Sequence, residues 1–137
     1  MKRFLLTVIF LFGLLLRLSA EEPVLVGASL SFSEIYKETS DMIRRSYLLW
    51  EQQVNNRGGL LGRDVELIIL DDESSVALAA GNYGKLLYEY DVDLVLSPYS
   101  TPLTLAASEL SEEKGYVMIA CGAAGEEIWD RGYRYIF

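Results

Sequence analysis

The chain has 137 residues, with 20 acidic against 12 basic residues, one cysteine and no histidine. The acidic excess, a formal net charge of −8, argues against nucleic acid and anionic membrane surfaces as partners. Without histidine, histidine-dependent catalysis is excluded and the commonest transition-metal ligand is missing. Cys121 has no second cysteine in the chain with which to form an internal disulfide.

The first 20 residues have the layout of a secretory signal peptide. Lys2 and Arg3 precede an apolar run from Phe4 to Leu16, and small residues at Ser19 and Ala20 end the segment. The run has 13 residues, fewer than the ~20 that a membrane-spanning helix needs, which leaves an uncleaved anchor as the weaker alternative. We expect cleavage after Ala20 and a location in the periplasm or otherwise outside the cytoplasmic membrane. The segment holds three of the 12 basic residues and no acidic one, so the remainder carries nine basic and 20 acidic residues, a formal net charge of −11.

Strand and helix signals alternate along the rest of the chain. Short apolar runs predict strands, and apolar residues at helical spacing beside capping residues predict helices. In chain order the predicted elements are a strand at Val24 to Ala28, a helix from Ser40 to Asn56 capped by Ser40 or Asp41, a strand at Val65 to Leu70, a helix capped by Ser75, a strand at Val92 to Leu96, a helix that begins at Thr101 and Pro102 and ends at Gly115, a strand at Tyr116 to Ile119, a short helix at Glu126 to Arg131, and a strand at Tyr133 to Phe137. The predicted buried faces are Ile43, Tyr47, Trp50 and Val54 in the first helix, Val76, Ala80, Tyr83, Leu87 and Tyr90 in the second, and Leu103, Ala106, Ala107 and Leu110 in the third.

Strands separated by helices of this length predict parallel pairing through right-handed crossovers. The predicted fold class is therefore α/β, with an open, doubly wound parallel sheet. In such sheets, ligands bind outside the carboxyl ends of the strands, at the point where strand order reverses. A strand order of 2-1-3-4-5 would bring three loops around one crevice, namely Ser29 to Ser40, Ser97 to Pro102 and Ala120 to Glu126. The loop from Asp71 to Ser75 would lie on the far side of the first strand.

Three stretches carry a resemblance to a known family: VNNRGGLLGRDVELIILDD (Val54 to Asp72), VDLVLSPYSTPLT (Val92 to Thr104) and IACGAAGEEIW (Ile119 to Trp129). They resemble the first lobe of the periplasmic solute-binding proteins that serve ABC importers, of the leucine/isoleucine/valine-binding or amide-binding type. The resemblance implies a two-lobed binding protein without enzymatic activity or cofactor, which captures a small amino acid, amide or related metabolite for a membrane permease. Because members of that family are far longer, we expect residues 21–137 to be an incomplete N-terminal lobe.

The middle loop carries the clearest candidate chemistry. Ser100 and Thr101 stand at a predicted helix start, where free backbone N–H groups and the helix dipole favour an anion and hydroxyls add donors. The alternative is that Thr101 only caps its own helix, with Pro102 in the first helical position. The resemblance implies that the PYST segment, Pro98 to Thr101, holds the carboxylate end of a ligand.

The third loop has small residues at Gly122, Ala123, Ala124 and Gly125. In the resembled family this stretch lets a ligand approach the backbone, and its carbonyls and a hydroxyl hold the α-ammonium group. This chain lacks that hydroxyl, so only the backbone contacts are expected here. A flexible connection with small residues for close packing is the alternative interpretation.

The remaining candidates are two aromatic residues and a carboxylate cluster. Phe32 and Tyr36 are either walls for an apolar ligand side chain or part of the local core. Asp71, Asp72 and Glu73 form the carboxylate cluster; Asp71 and Asp72 are interpreted as caps of the following helix, in preference to a cation site formed by the three acids, and no metal site is predicted. The chain has VGASLSFSE after its first strand, without the GxGxxG turn of a dinucleotide site, which disfavours a nucleotide-dependent enzyme. The main alternative to transport is a ligand-sensing domain of a receptor, which would have the same fold.

Overall fold

The computed structural model describes residues 21–137, so the predicted signal peptide at 1–20 lies outside the described residues. Strands and α-helices alternate along this range, and two short 3₁₀ turns occur at Glu34–Tyr36 and Glu126–Ile128. The elements are β1 (Val24–Leu30), α1 (Lys37–Asn55), β2 (Val65–Asp71), α2 (Val76–Tyr88), β3 (Leu94–Leu96), α3 (Thr101–Lys114) and β4 (Met118–Ile119).

The strands form one parallel sheet in the order β2-β1-β3-β4. β1 pairs with β2 along its whole length, from Val24 opposite Val65 onward, and pairs with β3 on its other side. The predicted fifth strand is reduced to a parallel bridge between Ile136 and Met118, although the Phe137 N–H also donates to the Met118 carbonyl at 3.0 Å. The α/β class, the open parallel sheet and the reversal of strand order between β1 and β3 are confirmed.

Helices cover the two faces of the sheet unequally. On one face, α2 and α3 enclose a core cluster of Tyr83, Leu86, Leu87, Val92, Val95, Ala107, Met118, Ile128 and Ile136. On the other face, α1 packs over β1 and β2 with two smaller clusters, which contain Val24, Val26, Val54 and Val65 and, nearer the carboxyl ends, Ala28, Leu30 and Tyr47. Burying both faces explains why β1 is apolar nearly throughout rather than alternating in polarity.

Several predicted boundaries and faces are wrong. α1 begins at Lys37 rather than Ser40, because the 3₁₀ turn before it runs directly into the helix and leaves Ser40 buried inside. In α2, Tyr83 and Leu87 are buried as predicted, but Val76 is exposed. The buried faces of α2 and α3 also include polar residues that a count of apolar positions misses, namely Asn82, Thr104, Ser108 and Ser111. The predicted helix over 126–131 shrinks to its first three residues.

A glycine corner, formed by residues 58–62, joins α1 to β2. Gly59 has a φ of +77°, and a Cβ built there would lie 1.9 Å from the Arg63 carbonyl oxygen. Its N–H donates to the Val54 carbonyl at 3.0 Å. Asn55 also connects the end of α1 to the start of β2, because its side chain both donates to the Val65 carbonyl (2.9 Å) and accepts from the Val65 N–H (2.8 Å). Only glycine fits at position 59, because both the left-handed backbone and the close contact with Arg63 reject a side chain there.

Candidate functional site

The three loops predicted to surround a crevice meet at the carboxyl ends of β1, β3 and β4. The rings of Tyr36 in the first loop and Tyr99 in the second pack edge to face, with centroids 5.5 Å apart. The second and third loops are hydrogen-bonded to each other: the Ser100 N–H donates to the Gly122 carbonyl at 3.0 Å, and the Cys121 N–H donates to the Ser97 hydroxyl at 2.9 Å. The fold thus brings together loops that are far apart in sequence.

Ser100 occupies a strained position at the start of α3. Its φ of 83° and ψ of 149° lie in a region that is essentially restricted to glycine. Its carbonyl accepts the first helical hydrogen bond, from the Thr104 N–H at 3.1 Å, which makes Ser100 the N-cap. The prediction that Thr101 caps the helix is therefore wrong by one position. The Ser100 hydroxyl oxygen is buried and has no hydrogen-bond partner among residues 21–137.

Thr101 is the first residue of α3, and its hydroxyl oxygen accepts the Gly125 N–H at 3.0 Å. Because this bond uses the oxygen as an acceptor, the hydroxyl proton stays available to a ligand. Pro102 has no N–H, and within the described residues the N–H groups of Thr101 and Leu103 donate to no other residue. Among residues 21–137, the helix start therefore combines two unpaired backbone N–H groups, the Thr101 hydroxyl, a buried Ser100 hydroxyl without a partner and the positive end of the helix dipole, a set of groups that suits a carboxylate.

The third loop is held close to the second by its glycines. A Cβ on Gly122 would lie 3.1 Å from the Tyr99 ring and 3.2 Å from the Ile43 side chain. Gly125 is tighter still, since a Cβ there would lie 2.5 Å from the Thr101 methyl carbon. Of the predicted site residues, Ser100, Thr101 and Gly122 lie together, whereas Ala123 packs against the core and Ala124 is exposed. Gly125, the last of the small residues predicted in this loop, lies against Thr101, a contact that local sequence does not indicate.

Two buried tyrosines support the end of β3 from opposite faces of the sheet. The Tyr83 hydroxyl, from α2, donates to the Leu96 carbonyl, and the Tyr47 hydroxyl, from α1, approaches the Ser97 carbonyl at 3.5 Å. Burial raises the pKa of both phenols, and the neighbouring Cys121 raises the pKa of Tyr47 further. Both tyrosines are therefore neutral donors at physiological pH. The sequence predicted them only as apolar residues of helix faces.

The carboxylates of Asp71 and Asp72, at the carboxyl end of β2, do not cap α2. The Ser75 hydroxyl accepts the Leu78 N–H at 3.4 Å, which confirms Ser75 as the cap. Asp72 instead accepts hydrogen bonds from Ser29 and Ser31, and Asp71 accepts from the Phe32 N–H at 2.9 Å. The interpretation as helix caps is wrong because these side chains turn back toward the first loop.

Other features of the described residues lie away from the crevice. A concavity of about 370 Å³ lies at the amino ends of β3 and β4, the opposite edge of the sheet, and is lined by Asp91, Val92, Asp93, Gly115, Tyr116 and Val117. Residues 21–137 contain no group of three or more histidine, cysteine, aspartate or glutamate residues placed to hold a metal ion. In the same range no helix is long and apolar enough to cross a membrane.

Comparison with known proteins gives consistent results. A leucine-, isoleucine-, valine-, threonine- and alanine-binding protein of Pseudomonas aeruginosa is 32% identical over 97 residues, which are 71% of this chain and 26% of that protein. The substrate-binding protein LivJ of Streptococcus pneumoniae, solved with isoleucine, superposes with a TM-score of 0.80 at 22% identity over 85% of this chain and 33% of LivJ. A solute-binding protein of an ABC transporter from Rhodopseudomonas palustris, solved with 3,4-dihydroxybenzoic acid, gives a TM-score of 0.76 at 22% identity over 85% of this chain and 31% of that protein.

The chain spans about a quarter of the Pseudomonas relative and about a third of these two solved proteins. The two structural likenesses, at 22% identity, concern the fold. The family described as periplasmic binding protein matches this chain over residues 23–137, nearly everything that the structure describes. The chain belongs to the periplasmic binding protein family.

Proposed function

We propose that residues 21–137 form the first of two lobes of a solute-binding protein, which captures a small amino acid, amide or related metabolite outside the cytoplasmic membrane and delivers it to the permease of an ABC importer. The observation that carries this proposal is the start of α3. There the Thr101 N–H and the buried Ser100 hydroxyl have no partner among residues 21–137, at the reversal of strand order and beside the backbone of Gly122. A site built from donors and a helix dipole recognises a carboxylate and requires no catalytic group.

The ligands of the solved relatives support this choice of anchoring group. LivJ was solved with isoleucine and the Rhodopseudomonas protein with 3,4-dihydroxybenzoic acid. These molecules differ in size, in aromaticity and in the presence of an amine, but both carry a carboxylate. We infer that the carboxylate of the ligand lies at Ser100 and Thr101, that an α-ammonium group faces the backbone carbonyls of Gly122, Ala123 and Ala124, and that an apolar side chain extends toward Tyr36.

The test is the affinity of Thr101 variants in a form of the protein that carries both lobes. Thr101→Val keeps the shape of the side chain but removes the hydroxyl, whereas Thr101→Ser keeps the hydroxyl. A hydrogen bond to a charged group contributes about 1.5 to 3 kcal/mol, so the valine variant should bind L-leucine or L-isoleucine roughly 10- to 100-fold more weakly by calorimetry, with serine near the wild type. Equal affinities of both variants and the wild type would show that the ligand carboxylate does not bind at Thr101.

The two-lobe proposal makes a separate claim about the 137-residue chain. Typical ligand pockets bury about 70 to 90% of the ligand surface, and a single lobe leaves roughly half of an amino acid in water. We therefore expect the chain by itself to bind L-leucine more weakly than the micromolar range by calorimetry.

Export is tested independently, since mass spectrometry of the exported protein should show a start near Glu21. An intact Met1 on the folded, exported protein would contradict the proposed signal peptide.

A further inference from the structure

Asp72 is a carboxylate buried in the protein without a cationic partner. Its side chain is fully inaccessible to solvent, and no ion pair to it occurs among residues 21–137. Three donors surround it: the Ser29 hydroxyl at 3.0 Å, the Ser31 hydroxyl at 2.5 Å and the Ser74 N–H at 3.0 Å. Burial of a charge is costly unless hydrogen bonds replace its hydration, and these three donors do so. The carboxylate thereby ties the end of β1 to the loop that follows β2.

The same network continues from this loop to the crevice. The Ser74 hydroxyl donates to the Ser33 carbonyl at 3.0 Å and accepts the Tyr36 N–H at 3.1 Å. Asp71 holds the first loop at a second point through the Phe32 N–H. Tyr36 in turn packs against Tyr99, which precedes the Ser100 N-cap. A continuous chain of contacts therefore runs from a buried carboxylate to the aromatic side of the crevice.

Backbone strain accompanies the network. Three residues other than glycine have left-handed backbones in the two loops that it joins: Glu34 (φ 62°), Glu73 (φ 49°) and Ser74 (φ 58°). Such conformations are disfavoured for residues with a side chain, and they persist where surrounding contacts over-determine them. Ser74 shows why the strain is retained, because its backbone N–H reaches Asp72 while its hydroxyl reaches Ser33 and Tyr36.

We infer that Asp72 and Ser74 are positioning residues, which set the location of Tyr36 and thus the aromatic side of the crevice. Asp72 acts through Ser74, and Ser74 acts through its hydrogen bond to the Tyr36 backbone. The loop from Asp71 to Ser75 thereby influences the crevice from the far side of β1. The consequence for ligand choice rests on the proposed function: the space available to an apolar ligand side chain depends on where this network holds Tyr36.

Hydrogen exchange in the 137-residue chain tests the positioning. In Ser74→Ala the Tyr36 amide loses its acceptor, and its exchange should become about tenfold faster, the ratio equivalent to about 1.4 kcal/mol. The nuclear Overhauser contact between the Tyr36 and Tyr99 rings should weaken at the same time. Ser75→Ala is the matched control, because it removes a neighbouring hydroxyl that caps α2 and has no bond to the first loop. Identical Tyr36 protection in the two variants would overturn the inference.

A second variant covers the case in which Ser74→Ala folds poorly. Ser74→Gly removes the same hydroxyl but relieves the positive φ, so the fold is retained while Tyr36 is released. Asp72→Asn keeps the shape and loses the charge, and we expect faster exchange of both the Ser74 and Tyr36 amides. Wild-type protection of Tyr36 in Ser74→Gly and in Asp72→Asn would contradict the positioning role.

Ligand selectivity separates this inference from the proposed function. In a form with both lobes, Ser74→Ala should change the ratio of affinities for L-leucine and L-alanine, which differ only in side-chain size, while Ser75→Ala leaves the ratio unchanged. An unchanged ratio in Ser74→Ala would overturn the link to selectivity. If the wild-type protein binds neither amino acid, the proposed ligand class fails, and the hydrogen-exchange experiment still decides whether Ser74 positions Tyr36.

Discussion

The two edges of the sheet differ in which residue types adopt left-handed backbone conformations. At the amino-terminal edge, where helices and loops lead into strands, glycine occupies most positions with positive φ, namely Gly58, Gly59, Gly62, Gly115 and Gly132, and the exceptions are Leu61 and Asp91. At the carboxyl-terminal edge, residues with side chains occupy such positions, namely Glu34, Glu73, Ser74 and Ser100. The amino-terminal edge has such strain only at Leu61 and Asp91 among the described residues, whereas the crevice edge has it at Ser74 and Ser100, which carry hydroxyl groups, and at Glu34 and Glu73. At Ser74 and Ser100, backbone strain therefore accompanies the two hydroxyl-bearing side chains for which we propose roles at the crevice.

The largest effect is expected at the amino-terminal edge, from Gly59→Ala. The added Cβ would lie 1.9 Å from the Arg63 carbonyl oxygen. Because that atom belongs to the backbone, the turn itself must shift, and the left-handed backbone adds roughly 1 to 2 kcal/mol. We expect the free energy of unfolding to fall by more than about 3 kcal/mol in urea denaturation. Gly62→Ala is the control, since nothing lies within 4 Å of its added Cβ and only the φ of +83° is unfavourable. Equal losses in both variants would show that the contact with Arg63 does not matter.

The next effect is expected at alkaline pH and concerns Tyr83, whose hydroxyl donates to the Leu96 carbonyl at the end of β3. Burial holds the pKa of Tyr83 well above its ordinary value near 10, so above pH 10 the unfolded chain loses this proton while the folded protein keeps it. Stability from this residue is complete below about pH 10 and falls above it, by up to about 1.4 kcal/mol per pH unit. Tyr83→Phe lacks this titration. Its free energy of unfolding should be lower than that of the wild type at pH 8, and the difference should shrink between pH 10 and 11. Parallel curves for the two proteins would contradict the raised pKa.

An intermediate effect of opposite sign is expected for Ser100→Gly at the crevice edge. Glycine accepts the backbone conformation of Ser100, whose strain is worth on the order of 1 to 3 kcal/mol, but adds about 0.5 to 1 kcal/mol of unfolded-state entropy. We expect a net stabilisation of about 1 to 2 kcal/mol by urea denaturation. In a form with both lobes, affinity for L-leucine should fall, because a donor is lost from the carboxylate site. A variant that is both more stable and equally tight in binding would show that the strain has no connection with the ligand.

The smallest effect belongs to Leu61→Gly, which removes a left-handed residue from the glycine corner. Leu61 has a φ of 55° and a side chain that is 95% exposed, so almost no packing is lost with it. We expect a stabilisation of about 0.5 to 1 kcal/mol, the difference between the left-handed strain and the entropy of glycine. Ligand affinity should not change. A gain as large as that of Ser100→Gly would mean that the two edges carry similar strain, and the contrast between them would disappear.

Much of the fold was predicted from local patterns. The strand predicted at Val65 to Leu70 is found as Val65–Asp71, and Gly115 ends α3 with a φ of 74°. The errors fall where the pattern is polar or where an element is short. α1 starts earlier than its apolar pattern, and the predicted helix after Gly125 keeps only one turn. Periodicity locates elements that bury a face and gives little information about those that do not.

For the candidate site, the sequence predicted correctly which loops lie together, but it predicted their hydrogen bonds less accurately. Ser100, Thr101 and Gly122 do lie together, but the role of Thr101 as a cap belongs to Ser100. The carboxylates of Asp71 and Asp72 bind the first loop, although their position before a helix favoured capping. A capping preference is a statistical property of local sequence, and it gives way when a distant donor offers a better-buried hydrogen bond.

The amino-acid sequence by itself determined the alternation of strands and helices, the parallel sheet and the edge at which the crevice lies. These follow from hydrophobic periodicity and glycine placement, which act over a few neighbouring residues. Only the tertiary structure decided which polar atoms are paired and which stay free. The Asp72 carboxylate accepts a hydrogen bond from Ser29, which is 43 positions away in sequence, and the Thr101 hydroxyl accepts one from Gly125, which is 24 positions away. Hydrogen bonds of this kind depend on the distance between atoms that packing brings together, and no pattern in the neighbouring sequence reports that distance.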